Sequence, residues 1–393
     1  ADYTHNGCLD LFVAQFGDLE KRRSPGFYET NVTIGEDNGG NNLLFEADCN
    51  SFDEVGESAG IDANTWTQAA TFADFTNDGY ADIHVANDFN NDLLYINNKN
   101  GTFDKNVLPE FTNRNGMSSE VADINHDGYL DIFITNIAFK TKDLNWLNNS
   151  DKVDLIRDNF RRRLKGNNLL INQGGGIFKD EAKEYNVRKG GLGWSALLDD
   201  FDNDAELELI HADTGGVRGV YLSGVSEYSA DSPANMWDRS GGSYQRVNPR
   251  VSGLTESRSY GIVSLDYDLD GDLDVIADNT VGSFKLYENR GRYDRNSLQV
   301  RLISGNYTAI GSRVEIMYDN KTTSRMMYSE SDSFSQSSRT LHFGVGESKI
   351  IDKLTIEWHG GPVDTYDSLE VNQRLTVSAA EGINGSISFD RYD

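Results

Sequence analysis

The stretch ADINHDGYLDIFITN, residues 122–136, holds the key to this chain, because four other segments align with it without a gap. They are ADYTHNGCLDLFVAQ from Ala1, ADFTNDGYADIHVAN from Ala73, DDFDNDAELELIHAD from Asp199 and LDYDLDGDLDVIADN from Leu265. The shared pattern is D-x-[DNT]-x-[DN]-[GA]-x-x-[DE], followed by an apolar run. Starts are 72, 49, 77 and 66 residues apart, so each unit is a supersecondary element with variable loops.

The chemistry of the nonapeptide points to a hard cation. Ca²⁺ takes six to eight oxygens at roughly 2.3–2.6 Å in flexible geometry. When the backbone curls around an ion, side chains at positions 1, 3 and 5 point inward. Position 7 offers its carbonyl and position 9 closes the shell, while glycine at position 6 allows the sharp turn. The expected ligand sets are Asp2, Thr4, Asn6, Cys8 and Asp10; Asp74, Thr76, Asp78, Tyr80 and Asp82; and Asp123, Asn125, Asp127, Tyr129 and Asp131. The last two sets are Asp200, Asp202, Asp204, Glu206 and Glu208, and Asp266, Asp268, Asp270, Asp272 and Asp274. An EF-hand is excluded, since it requires an acidic twelfth position and flanking helices. Position 12 here is Val13, Val85, Ile134, His211 or Ala277, and the residues after each loop are strand formers.

The loops are unequal. Carboxylates at positions 1, 3, 5 and 9 number 2, 3, 3, 4 and 4 along the chain, so the first site is expected to be weakest. The fourth has Ala205 at the turn position, which implies an altered backbone there. Up to five structural Ca²⁺ ions would bring the formal charge from −27 to −17. The acidic balance opposes nucleic acid as a partner. No apolar run approaches the roughly 20 residues of a membrane span. The abundance of aromatic residues argues against disorder, with 19 Phe, 18 Tyr and 5 Trp available for a core.

A second feature recurs. Short apolar strands end in polar residues: Asn42-Leu43-Leu44-Phe45, Asp92 to Asn97, Asn168 to Asn172 and Lys285 to Asn289. Two are followed by Gly-x-Phe, at Gly101-Thr102-Phe103 and Gly176-Ile177-Phe178. Together these units read as four-stranded antiparallel sheets repeated radially. On these motifs residues 1–293 resemble the FG-GAP/VCBS repeats of integrin-α-type propellers. The resemblance implies an all-β, Ca²⁺-binding β-propeller with five visible repeats and five to seven blades.

After Arg295 the acidic pattern stops, and alternating strands imply a small β-sandwich-like domain over 296–382, with 383–393 as a tail. Ala309-Ile310-Gly311-Ser312-Arg313-Val314, His342-Phe343-Gly344-Val345-Gly346 and Ile356-Glu357-Trp358-His359-Gly360-Gly361 resemble the ASPIC/UnbV domain. That domain accompanies such repeats in extracellular proteins similar to cartilage acidic protein. The expected division is 1–295 for the propeller and 296–382 for the second domain.

Between the third and fourth loops, Val153, Ile156, Phe160 and Leu164 share a helix face. The other face carries Arg157, Arg161, Arg162, Arg163 and Lys165, read either as a solvated surface or as a patch for acidic glycans. A second insertion, about 214–250, includes Trp237 and is expected to cover one face of the ring. His5 and His126, at position 4 of their loops, are expected to be exposed. His84 and His211 fall on opposite-facing positions of equivalent strands, so they do not form a metal site by spacing. Cys8 and Cys49 allow one disulfide or none. The chain opens inside a motif and reads as a mature or truncated product.

Five residues beyond each loop's last carboxylate stand Gln15, Asn87, Asn136, Asp213 and Asn279. They either form a ligand-binding ring near the axis, if their strands are innermost, or bond within turns. The expected function is recognition of a protein or glycan ligand by a secreted, periplasmic or cell-surface monomer acting in adhesion. The alternative is a carbohydrate lyase or dehydratase with a metal bound on the propeller face, and fold alone does not choose between them.

Overall fold

In the computed structural model, the residues described are 1–17, 39–107, 115–136, 166–191, 193–214, 234–248, 252–254, 259–279, 282–291, 294–305, 308–328 and 335–389. The basic helix expected over 153–165 lies outside them. Their secondary-structure elements are strands arranged in seven small sheets.

The second to fifth acidic loops are hairpin turns, as the strand-forming residues on either side require, and the first leads into the strand Leu11–Val13. In the third repeat, Glu120–Ala122 enters the loop and Asp131–Ile134 leaves it; Asn168–Asn172 and Phe178–Asp180 complete an antiparallel sheet in that order. The fourth repeat follows the same plan with Gly193–Asp199, Glu208–Asp213, Asn235–Ser240 and Ser243–Arg246. In the second, Asn64–Ala73, Asp82–Asp88, Leu93–Asn97 and Phe103–Val107 are joined by the short strand Gly40–Asn41. The first and fifth repeats contribute three strands each among the described residues. Both Gly-x-Phe signals mark the start of a fourth strand.

Apolar strands without alternation have a reason in the second, third and fourth repeats, since both faces of those sheets are covered. Ile132 packs towards the second repeat and Phe133 towards the fourth, both fully buried. Each such side chain contributes about 1.5–3 kcal/mol. Four clusters fill the spaces between successive repeats, one per junction. The strands entering the loops, Asn64–Ala73, Glu120–Ala122, Gly193–Asp199 and Ile262–Leu265, lie beside one another. This arrangement of small antiparallel sheets is consistent with propeller blades.

The second insertion differs from expectation. Residues 235–246 are the third and fourth strands of the fourth repeat, and Trp237 is 1% exposed in the cluster shared with the third. Arg239 stands where the second, third and fifth repeats place Asn97, Asn172 and Asn289, so the segment lacks the recurring signature.

The C-terminal residues form two four-stranded sheets around one core. One has the order Thr340–Gly346, Asn296–Ile303, Gln373–Ser378, Gly382–Ser388; the other Lys321–Met326, Thr308–Tyr318, Ile350–His359, Val363–Glu370. Residues 382–388 are thus a paired strand, held by main-chain bonds to Gln373–Ser378, rather than part of a tail.

The polar turns that follow the second strands hold buried acids, Asp92 among them. The main-chain N–H of Asn87 donates to Asp92 Oδ1 at 2.8 Å, as that of Gln15 does to Asn42 and that of Asn136 to Asn167. Asp92 is 1% exposed, and burial pushes its carboxyl up to about 7. Its unfolded value lies near 3.9, so between those limits the folded chain holds a proton that the unfolded chain releases. The stabilisation is therefore present at low pH and fades as pH rises towards 7. Asp92→Asn, matching Asn42 and Asn167, is expected to raise stability at pH 8 by about 1 kcal/mol or more. It should also flatten the melting-temperature profile between pH 5 and 8; a variant profile parallel to the wild type would refute this.

Candidate metal loops

Within each loop the first aspartate organises the turn. Asp74 accepts from the N–H groups of Asp78 and Gly79, Asp123 from Asp127 and Gly128, and Asp200 from Asp204 and Ala205, at 2.7–3.1 Å. Asp2 does the same with Asn6 and Gly7, and Asp266 accepts from Gly271. The fifth residue accepts from the seventh N–H in all five loops. Position 4 has positive φ throughout, from 56° to 63° at His5, Asn77, His126, Asn203 and Leu269, and position 6 follows at 78° to 92°. Ala205, at 78°, keeps the same turn as the glycines, so the fourth loop is not rebuilt.

The ninth carboxylate has a double duty. One oxygen accepts from the N–H of position 2, at Tyr3, Phe75, Ile124, Phe201 and Tyr267. The other accepts from the end of the third strand, at Ala47, Asn97, Asn172 and Asn289, for Asp10, Asp82, Asp131 and Asp274 respectively. Burial nevertheless pushes Asp82 and Asp131 up to about 7, and Asp10 and Asp274 to about 6. Glu208 is raised as well, by burial and then by Asp200. These sites favour loss of negative charge, by a proton or by a cation.

The loops differ in how far their acids converge. Asp200, Asp202 and Glu208 each offer an oxygen within 4.8 Å of the others, and so do Asp266, Asp268 and Asp274. These are the two such groups among the described residues, and they are the loops with four carboxylates. Glu208 Oε1 and Asp266 Oδ1 are buried without a hydrogen-bond donor, as suits oxygens that ligate a cation. All-oxygen donors suit a hard ion. Asp204 and Asp270 bond to the loop backbone, and Glu206 and Asp272 turn their side chains towards the preceding repeat.

Loops one to three are tied up differently. Asp78 pairs with Lys99 at 3.3 Å, Thr76 donates to Asp74, and Asn125 donates to Asp127 at 2.8 Å. Asn6 donates to the carbonyl of Ala47, and Thr4 Oγ1 is buried without a partner. Cys8 forms a disulfide with Cys49, fastening the first loop to the turn beyond its third strand. Tyr80 and Tyr129, at position 7, are aligned by the fifth residue.

Two links between repeats escaped the sequence reading. The asparagine ending a third strand donates through Nδ2 to the position-2 carbonyl of the preceding loop. Asn97 reaches Tyr3, Asn172 reaches Phe75 and Asn289 reaches Phe201, at 2.6–2.9 Å. Arg239 replaces it in the fourth repeat and donates to Ile124. In the other direction, position 4 meets the turn of the next loop. His5 stacks on Tyr80 with centroids 4.0 Å apart, Asn77 donates to Gly128, His126 lies 3.6 Å from Glu206, and Asn203 donates to Asp272. His5 is therefore half-buried, whereas His126 is exposed as expected.

The five residues read as a possible ring sit on second strands or just beyond them. Asn87, Asn136 and Asp213 are buried; Asn87 Nδ2 donates to the Asn91 carbonyl and Asn136 Nδ2 to Asn168 Oδ1. Gln15 and Asn279 are half-buried. His84 and His211 are fully enclosed and face the third repeat from opposite sides, His84 against Ser119 and His211 against Asn167. Burial lowers both to about 3, so both imidazoles are neutral.

The family model described as FG-GAP-like repeat matches residues 74–134, which span the second and third loops, and the ASPIC and UnbV model matches residues 303–384. No curated protein matches the chain. The chain thus carries an FG-GAP-like repeat and a C-terminal ASPIC/UnbV domain.

Two substitutions check the loop geometry. A non-glycine residue at φ 78° carries about 1–2 kcal/mol of strain, part of which glycine gives back as unfolded-state entropy. Ala205→Gly is expected to raise stability by about 0.5–1 kcal/mol in urea titration; a loss would show the turn is not strained. Asn172→Ala strands the Phe75 and Leu130 carbonyls and should cost about 1–3 kcal/mol, an effect absent if water replaces the amide.

Proposed function

We propose that this chain is an extracytoplasmic recognition protein in which Ca²⁺, bound by the acidic hairpins, holds a propeller in shape for a protein or glycan ligand. The observation that carries the metal reading is the pair of converged triads, each with a buried oxygen lacking a donor. Asp200, Asp202 and Glu208 would hold one ion, with Asp204 and the Glu206 carbonyl. Asp266, Asp268 and Asp274 would hold another, with Asp270 and the Asp272 carbonyl. The loops at Asp2, Asp74 and Asp123 are weaker candidates, because neutral side chains replace one or more acids. The ion's part is charge neutralisation inside a turn that already has the required curl.

An extracytoplasmic setting is supported by the Cys8–Cys49 disulfide. Among the described residues no helix is long and apolar enough to cross a membrane. The ligand face is assigned to the end of the blades remote from the acidic loops, since the C-terminal domain rests on the loop end. There Trp194 and Tyr260, both half-buried, meet edge to face at 4.7 Å. Such a pair offers an apolar platform with polar rims, suited to sugar rings or to a peptide side chain.

Chelation is expected to lower the melting temperature by on the order of 10 °C, reversed by Ca²⁺. The gap between Ca²⁺-loaded and EDTA-treated protein should narrow most in Asp268→Ala and least in Asp2→Ala; an unchanged melting curve in EDTA sinks the metal reading. On a glycan array and in pull-downs from extracellular matrix, a retained ligand lost in Trp194→Ala, without product formation, is the expected result. Turnover of a bound saccharide would instead establish the lyase-type alternative.

A further inference from the structure

The C-terminal domain sits on both loops whose acids converge, and its His359 also reaches the first loop, with Nε2 2.7 Å from the Asp2 carbonyl. Asp266 Oδ2 accepts from Gln299 Nε2 at 2.8 Å, and Arg374 lies 3.6 Å away. Arg374 Nε in turn donates to Gln299 Oε1 at 2.7 Å, so the amide is fixed from both ends. This leaves Asp266 Oδ1 as the buried oxygen with no donor, in the triad with Asp268 and Asp274. Ser297 Oγ donates to the Gly271 carbonyl in the same loop at 2.7 Å.

The fourth loop is held in the same manner. His342 Nε2 is 2.7 Å from Asn203 Oδ1, and Gly346 N–H donates to the Asn203 carbonyl at 2.9 Å. Gly344 lies flat on the loop: a Cβ there would come within 2.0 Å of Asp200 Oδ2 and 2.5 Å of Asn203 Cα. Arg295, at the entry to the domain, contacts the carboxylate of Asp202 and reaches Asp204 at 3.4 Å. Gln299 and His342 are 1% and 4% exposed, so neither is a casual surface neighbour.

We propose that the C-terminal domain supplies the outer shell of the fourth and fifth cation sites. Gln299, held by Arg374, sets the rotamer of Asp266, and His342 with Gly344 fixes the fourth loop through Asn203. Cation binding in these loops and seating of the domain are then linked, and each strengthens the other by the same factor. The coupling is a positioning effect, since an oriented ligand binds without first losing its freedom. It rests on the metal reading above, and it adds a consequence that reading does not require: a cation at the loops is felt across the second domain.

The test uses the full chain stripped with chelator and titrated with CaCl₂ by calorimetry. Amide hydrogen exchange is followed in Asn296–Ile303 and Thr340–Gly346 with and without the ion. Gln299→Ala is expected to weaken the fifth Ca²⁺ site by about 10–100-fold and, through the looser seat of the domain, the fourth by less, leaving the second and third unchanged. Ca²⁺ should slow exchange in both strands of the wild type, less so in Gln299→Ala, and as before in Asp74→Ala. If Gln299→Ala fails to fold, Arg374→Lys carries the same expectation, since it loses the Nε donor but keeps the charge. Ca²⁺ uptake with wild-type affinity in the variants, or with exchange in the domain indifferent to the ion, overturns the coupling alone. No uptake by the wild type removes the metal reading and the coupling together.

Discussion

A buried carboxylate at the ninth position of each acidic loop is the interaction on which the repeats depend. In four loops it ties the second residue of its own turn to the end of the third strand, so one side chain joins three strands of a sheet. The charge that makes it a good acceptor is disfavoured by burial, as the raised values of Asp82, Asp131, Asp10 and Asp274 record. The fold therefore places acids where they bond well and ionise poorly. A divalent ion would resolve that conflict without disturbing the backbone, because the turn is already closed by N–H donors. The fourth repeat departs from this: the longer Glu208 reaches the Phe201 N–H but leaves its second oxygen without a donor.

Adjacent repeats are joined by contacts running both ways. An amide or guanidinium from each new repeat caps a carbonyl in the loop before it, and the fourth residue of each loop touches the turn after it. Between these polar links lie apolar clusters that use both faces of the second, third and fourth sheets. The position-2 side chains show the rule and its limit. Tyr3, Phe75, Ile124 and Phe201 are buried against the following repeat, while Tyr267 in the fifth is 45% exposed.

Much of this was legible from residue type and spacing. Five aligned nonapeptides gave the hairpins, and the unequal count of carboxylates marked the two loops where acids converge. Gly-x-Phe located the outer strands at Phe103 and Phe178. The reading failed where a signal depends on a neighbour in space. Asn97, Asn172 and Asn289 were visible as strand ends, but their partners are carbonyls 94, 97 and 88 residues away. The outer strands around Trp237 read in sequence as an insertion because Arg239 does the work of asparagine by another chemistry. Ala205 looked like a break in the pattern, yet the network of N–H groups around Asp200 holds it in the glycine conformation. Residues 382–388 carry few apolar groups, and only pairing with Gln373–Ser378 makes them a strand.

The asparagine joint has a bearing on how such chains change in length. Its acceptor is a main-chain carbonyl, which every residue type provides, and its donor is a single amide at a fixed place in the unit. Any unit ending in that amide can make this one bond to any other, so duplication or deletion of a whole unit by unequal crossing-over preserves that part of the seam. The unit with Arg239 is less interchangeable, because its guanidinium also pairs with Glu206 at 2.8 Å within its own loop. Lineages that gain or lose units should do so at the asparagine seams and keep the arginine unit in place.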